Sequence, residues 1–253
     1  MTLDEDTNIK QKEAHFHDSR LLKRELGDRV AQSKYYWAVE SQDDHFWQTV
    51  QTHASHKRVL EIGCFDGSRT VELAAIADKV FAIDVSPVAV ALTLSQVQDL
   101  RLANVEVCLG DAEKLDFLDA SLDVVFCAGV LHHLNVEAAL REIHRVLTPR
   151  GHAIFREPLA HNPLIHLYRK LTPDARTADE HPLSVHDLRL MRKIFEYSSF
   201  DYFGMFSLFA TPLRNTAMGN PVRKLLNHVD DWVFNNSVLG RYCWQVNGVL
   251  RKH

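Results

Sequence analysis

Short apolar runs alternate with segments of helical spacing along the middle of the chain. Each run is almost uniformly apolar, as expected of a strand that is buried on both faces. Because strands that alternate with helices at this pitch form parallel sheets, the pattern predicts a doubly wound α/β fold. The predicted strands are 57–62, 79–83, 105–109, 123–128, 152–155, 200–209 and 243–250.

Helices are predicted between these strands from apolar positions that recur every three to four residues. The start of one of them is well marked, because Ser86 is a typical N-cap residue and Pro87 suits a first helical turn. The predicted helices cover 68–77, 86–100, 135–147 and 185–195, and a further helical stretch is expected within 213–240.

The composition and the cysteine spacing argue against several classes of function. The chain has 253 residues and a net charge of −4, which argues against the basic face that nucleic-acid binding requires. No apolar run approaches the roughly 20 residues of a membrane span, so we expect a cytoplasmic protein without an integral membrane segment. The cysteines lack CxxC spacing and are expected to be buried free thiols and not zinc ligands. They are Cys64, Cys108, Cys127 and Cys243.

Glycines and acids follow the first three strands, where a doubly wound sheet binds its ligand. Gly63 permits a tight turn after the first strand, and Gly67 lets the next helix start close to that strand. Asp84 ends the second strand, where a carboxylate can accept hydrogen bonds from both hydroxyls of a ribose. Asp111 follows the third strand, where it can accept from the exocyclic amine of adenine. Together these residues predict a nucleoside-containing cofactor.

The motifs resemble those of class I S-adenosylmethionine-dependent methyltransferases, most closely the type 11 group that acts on small molecules. The resemblance covers residues 55–158 and implies a Rossmann-like, seven-stranded, mostly parallel sheet with S-adenosylmethionine as cofactor. It rests on Glu61-x-Gly63-x-x-x-Gly67, Asp84, Gly110-Asp111-Ala112, Val130-Leu131-His132-His133-Leu134 and Leu147-x-Pro149-x-Gly151, which occur in this order.

The resemblance also implies a role for individual residues. Glu61 and Gly63 would lie near the amino acid end of the cofactor, Asp84 would bind its ribose, and Asp111 and Ala112 would contact adenine. The candidate cofactor-binding set is completed by Cys64, Gly67, Val85, Ala128 and Gly129. One residue departs from the family pattern, because Phe65 stands where the family often has glycine.

Candidate catalytic residues follow the fourth and fifth strands. His132 and His133 lie at the mouth of the predicted cleft, where a histidine can remove the proton of a hydroxyl acceptor. We predict His132 as the base, with His133 and Glu157 as further candidates. No histidine has convincing metal-ligand spacing, so no metal is predicted.

The chain is therefore divided into a helical N-terminal cap (1–55), a cofactor-binding core (56–158), an acceptor-site insertion (159–184) and the rest of the sheet with a helical insertion (185–253). The predicted acceptor is a small molecule of the sugar, polysaccharide-precursor or lipid-like classes, and methylation of oxygen is slightly favoured. Two alternatives stay open, a nicotinamide-dependent oxidoreductase and a cofactor-binding partner protein without catalytic activity.

Overall fold

Seven strands form one sheet in the computed structural model, which describes residue 18 and residues 33–171, 181–234 and 238–253. The strands are β1 (Arg58–Ile62), β2 (Lys79–Asp84), β3 (Val105–Leu109), β4 (Leu122–Ala128), β5 (Leu147–Pro158), β6 (Tyr197–Phe203) and β7 (Gln245–Arg251). Their order is β3-β2-β1-β4-β5-β7-β6, and β7 alone runs antiparallel to its neighbours. The predicted seven-stranded, mostly parallel α/β fold is confirmed.

Helices connect these strands and cover the sheet. The α-helices among the described residues are α1 (Ser33–Tyr36), α2 (Glu40–Ala54), α3 (Ser68–Ala74), α4 (Pro87–Asp99), α5 (Val136–Val146), α6 (Pro163–Leu171), α7 (Val185–Ile194) and α8 (Gly219–Phe234). Short 3₁₀-helices lie at Trp37–Val39, Leu131–His133, Ser207–Leu213 and Val238–Tyr242. The Ser86 hydroxyl accepts from the backbone N–H of Ala89, which confirms the predicted start of α4.

The structure differs from the sequence prediction beyond β6. A strand was expected to continue through Phe209, but β6 ends at Phe203 and a 3₁₀-helix begins at Ser207. Gly204 has a φ of +81°, which turns the chain away from the sheet. The buried carboxylate of Asp230 in α8 then accepts hydrogen bonds from three consecutive backbone N–H groups, those of residues 205–207. This long-range contact overrides the apolar pattern that predicted a strand.

One cysteine prediction is wrong. Cys64, Cys127 and Cys243 are buried free thiols, as expected, but Cys108 is exposed. It lies in β3, which is one of the two edge strands of the sheet and is mostly open to solvent. An edge strand therefore shows the same apolar sequence pattern as a central one.

The N-terminal part of the described chain packs on the sheet through α2. Phe46 lies against Phe126 of β4 with ring centroids 5.9 Å apart, and the Arg156 guanidinium lies 4.6 Å from the Phe46 ring. Arg156 also bonds to Asp43 in α2 and to the carbonyl of Gln42. Residues 1–17 and 19–32 of the predicted cap, and residues 172–180 of the predicted insertion, lie outside the described residues. No helix of the described parts is long and apolar enough to cross a membrane.

Candidate active site

The turn after β1 is shaped by its two glycines. Gly63 and Gly67 have φ values of +81° and +77°, and the Gly63 N–H donates to the Ile83 carbonyl at the end of β2. A Cβ on Gly63 would lie 2.5 Å from Val130 Cγ2, and a Cβ on Gly67 would lie 3.1 Å from the Thr93 backbone. The tight turn at Gly63 is confirmed. Gly67 allows close approach to α4, which is a different neighbour from the strand that the sequence suggested.

Phe65 adopts the backbone conformation of the turn although it stands where the methyltransferase family often has glycine. Its φ is +49°, in the left-handed region that glycine adopts more easily. Its N–H donates to Asp84 Oδ2 over 3.1 Å, while the Ser86 N–H donates to Asp84 Oδ1 over 2.9 Å. The Asp84 carboxylate is thus held at the end of β2 by two backbone groups, with lone pairs left for a ligand.

Glu61 is buried near the end of strand β1, with only 2% of its surface exposed. The Thr70 hydroxyl of α3 lies 2.5 Å from its Oε2. Burial raises the pKa of the Glu61 carboxyl to about 8, because a charged carboxylate loses its hydration there, and the nearby Asp84 adds to the rise. Glu61 is a titratable group beneath the glycine turn.

The remaining predicted cofactor residues differ in how far they are exposed to solvent. Ala128 and Gly129 are exposed at the end of β4, and Val85 and Asp111 are half-buried. Ala112 is buried in the core, and Asp111 Oδ1 accepts from the Glu113 N–H, so this carboxylate shapes its own turn. The Cys64 thiol faces Thr93 in the interior, and burial raises its pKa to about 12. Cys64 can therefore reach a ligand only through its backbone.

His132 and Glu157 are in direct contact. His132 Nδ1 lies 2.5 Å from Glu157 Oε2, and both residues are buried. The other oxygen, Glu157 Oε1, accepts from the backbone N–H groups of Val130 and Leu131, each over 2.8 Å. An ionised carboxylate can only accept a hydrogen bond, so an ionised Glu157 requires the hydrogen of this contact to be on His132 Nδ1. The sequence had predicted both residues without predicting their contact.

This pair lies beside the cofactor-side loops. A Cβ on Gly129 would lie 3.9 Å from His132 Cε1, and Val130 approaches Gly63 closely enough to exclude any side chain there. His133 stacks beside His132, with ring centroids 4.0 Å apart. The His181 N–H donates to the His132 carbonyl, which brings the end of the predicted insertion to the same place. The loops after β1, β4 and β5 therefore meet at one edge of the sheet.

Asn162, Tyr35 and Trp37 have structural roles. Asn162 is buried and caps α6 by accepting from the Ile165 N–H, while its amide donates to the carbonyls of Gly204 and Tyr242. The aromatic residues Tyr35 and Trp37 pack in a cluster with Trp244. Neither role has a local sequence signal, because each depends on partners far along the chain. Within the described ranges, no group of His, Cys, Asp or Glu side chains is arranged to hold a metal ion.

A doubly wound sheet with glycines and acids at the carboxyl ends of consecutive strands defines a nucleotide-cofactor-binding protein. Residues 60–155 match the methyltransferase domain family. The chain is 32% identical over 105 residues to the uncharacterized methyltransferase YcgJ of Bacillus subtilis, covering 41% of this chain and 41% of that protein. The chain spans between about a third and a half of the length of the curated relatives it matches.

Solved structures share the fold. The [4+2]-cyclase SpnF has a TM-score of 0.55 at 19% identity, covering 83% of this chain and 80% of that one. Phosphoethanolamine N-methyltransferase 2 of Haemonchus contortus, solved with S-adenosylhomocysteine, has a TM-score of 0.60 at 15% identity, covering 92% and 59%. The family match identifies residues 60–155 as a class I S-adenosylmethionine-dependent methyltransferase domain. It confirms the predicted family and its cofactor.

Proposed function

We propose that this protein transfers the methyl group of S-adenosylmethionine to a hydroxyl oxygen of a small molecule, with His132 as the base. The contact between His132 Nδ1 and Glu157 Oε2 carries the proposal, because it orients an imidazole at the edge of the cofactor cleft. A hydroxyl acceptor needs such a base, since its oxygen is a weak nucleophile while it keeps its proton.

The residues at the cleft fit the cofactor. Gly129 is exposed and has a φ of +72°, which brings bare backbone to the ligand side of β4. Asp84 is fixed by two backbone N–H groups in a position to accept from ribose hydroxyls, and Asp111 would face the adenine. Glu61 and Gly63 would lie near the amino acid end. When bound, the cofactor supplies a methyl group that its sulfonium already activates.

The protein's own contribution is orientation and proton removal. Glu157 acts as a positioning residue, because it holds the Nδ1 hydrogen of His132 and so leaves Nε2 to receive the proton of the acceptor hydroxyl. The two backbone N–H groups on Oε1 keep the Glu157 carboxylate in place. The proton held by His132 is then released to water. His133 would support the loop by stacking on His132.

The acceptor is proposed to be a sugar, polysaccharide precursor or lipid-like metabolite that enters beside residues 159–184. A second candidate function is cofactor binding without methyl transfer, and the likeness to a [4+2]-cyclase supports keeping it, because the fold is shared with a protein named for another reaction. The nicotinamide alternative is disfavoured by the methyltransferase family match.

Calorimetry tests the cofactor site first. The wild-type protein should bind S-adenosylhomocysteine, and Asp84→Asn should weaken binding by about 1.5–3 kcal/mol through loss of charge-assisted bonds. Asp78→Asn is the matched control, because Asp78 is exposed and precedes the same strand at its opposite end. Affinity for a nicotinamide dinucleotide and none for S-adenosylhomocysteine would contradict the proposal.

Labelled S-adenosylmethionine then separates the two candidate functions. Incubation with a metabolite extract should give a labelled product whose methyl group is on oxygen, as mass spectrometry of the product would show. If the protein binds the cofactor tightly and labels nothing in extracts from several sources, the second candidate, cofactor binding without methyl transfer, is supported.

A further inference from the structure

Helix α8 presents large apolar side chains to solvent. Met218, Leu225 and Trp232 recur every seven residues, or two helical turns, so they lie along one stripe of the helix and the residue before it. Their exposed fractions are 59%, 64% and 81%. Phe209, in the neighbouring 3₁₀-helix, is also exposed. We refer to Phe209, Met218, Leu225 and Trp232 as the apolar stripe.

The opposite face of α8 is buried and combines polar side chains with the core residue Phe234. Asp230 is fully buried and accepts from the N–H groups of residues 205–207. Asn227 is also buried, and Arg223 bonds to the Trp37 carbonyl and to Glu40. The protein thus holds α8 through this mixed buried face, in which Phe234 also packs against Phe206, and leaves large apolar groups outside. Exposing such groups to water is unfavourable, so this face is suited to an apolar environment.

The charges around the apolar stripe are positive. Lys224 and Arg214 are exposed and, among the described residues, have no ion-pair partner. Of the two acids of α8, Asp230 is buried, and Asp231, which is on the same side of the helix as Lys224, is half-buried and accepts from Gln42. This local charge contrasts with the net charge of −4 of the whole chain. A surface that combines leucine, methionine and tryptophan with cations complements an apolar layer covered by anionic groups.

We infer that the apolar stripe docks on an anionic lipid surface. A second copy of the chain fits less well, because it would bring the same two cations to the contact and no anionic groups to meet them. The position of the stripe is consistent with a role at the site's entrance. Helix α8 is tied to the segment after β6, and β6 ends at the same edge of the sheet as β5, which carries Glu157. The inference does not depend on methyl transfer.

Vesicle co-sedimentation tests the inference. The full chain should bind vesicles of phosphatidylcholine with about 30% phosphatidylglycerol and should bind pure phosphatidylcholine much more weakly. Leu225→Ser and Trp232→Ser should each lower the partition coefficient at least about tenfold, because each removes apolar surface that the lipid layer would bury. Leu118→Ser is the matched control, since Leu118 is 81% exposed and lies outside α8. Lys224→Gln should weaken binding to anionic vesicles alone.

Tryptophan fluorescence gives a second measurement, which detects contact of Trp232 with the vesicle directly and does not depend on a variant that binds less. Of the four tryptophans, Trp232 is by far the most exposed, so vesicles should shift the emission of the wild-type protein to the blue and leave Trp232→Phe nearly unchanged. The inference is overturned if the wild-type protein does not bind anionic vesicles, or if both serine variants bind them as well as the wild-type protein does. It is also overturned if light scattering shows a dimer that Leu225→Ser dissociates.

Discussion

The two ends of the proposed cleft are built by different means. On the cofactor side, backbone groups of neighbouring turns hold the site, as when the Phe65 N–H bonds to Asp84, 19 residues away. On the acceptor side, side chains from distant segments hold it. Arg156 reaches Asp43 across 113 residues, and Asn162 reaches the Tyr242 carbonyl across 80. The first arrangement leaves a short motif in the sequence, whereas the second leaves scattered polar residues that resemble a solvated loop.

The largest expected effect is on the rate of methyl transfer. It concerns His132, which lies where the proposed cofactor and acceptor sides meet. His132→Ala should lower the turnover rate by about 10²–10⁴, because the acceptor hydroxyl loses its base, and should leave affinity for S-adenosylhomocysteine nearly unchanged. Steady-state kinetics and calorimetry measure the two effects separately. His161→Ala is the control, since His161 is exposed in the neighbouring segment.

Glu157→Gln refines the same test. It should also slow turnover, and it should change the acid side of the pH–rate profile, because an amide no longer fixes the Nδ1 hydrogen of His132 as a carboxylate does. A merely structural role would lower stability and leave that profile in place. Full activity of His132→Ala with an unaltered profile would remove His132 from the chemistry.

A pH-dependent effect on stability is expected next, on the cofactor side. Folding raises the pKa of Glu61 from its ordinary value of 4.5 to about 8, so the folded protein keeps a proton that the unfolded chain releases. The stabilisation is complete below about pH 4.5 and is lost as the pH rises towards about 8. Glu61→Gln lacks this titration and can still accept from Thr70. Relative to wild type, its free energy of unfolding should rise by on the order of a few kcal/mol between about pH 5 and about pH 9.

Denaturant unfolding at the two pH values measures this change. The exposed Glu106→Gln serves as control and should show no comparable pH-dependent gain. If Glu61→Gln and wild type respond to pH alike, the Glu61 carboxyl is ionised in the folded protein. The same variant should bind S-adenosylhomocysteine more weakly if Glu61 meets the amino acid end of the cofactor.

The sequence predicts the strands and the turn after β1 well because their signals are local. Buried parallel strands read as apolar runs, and Gly63 and Gly67 are required by positive φ values that few other residues tolerate. The acceptor side is predicted in part. His132 and Glu157 are recognisable from their positions after β4 and β5, but their contact requires the β4–β5 register, and the burial of Asp230 depends on three N–H groups more than 20 residues away.

A smaller effect tests whether Arg156 is an anchor or a site residue. Arg156→Met keeps a long apolar side chain against Phe46 and removes the bonds to Asp43, Asn247 and the Gln42 carbonyl. The free energy of unfolding should fall by about 2–3 kcal/mol, because the buried Asn247 side chain and the Gln42 carbonyl lose their donor. Arg141→Met is the control, since its pair with Glu137 is exposed and should matter by less than about 0.5 kcal/mol. Loss of cofactor affinity at unchanged stability would place Arg156 in the site instead.

The smallest effect concerns the backbone of the glycine turn and is measured as a difference between two variants. Phe65 has a φ of +49°, so Phe65→Gly should be more stable than Phe65→Ala by about 1 kcal/mol, since both lose the same ring and only alanine resists this conformation. At Leu118, which has no positive φ, the order should reverse, because glycine there adds freedom to the unfolded chain. Chemical denaturation of the four variants measures both differences. If the alanine variant is the more stable one at both positions, then the turn does not hold Phe65 in the left-handed region, and the backbone account of the cofactor side fails at that residue.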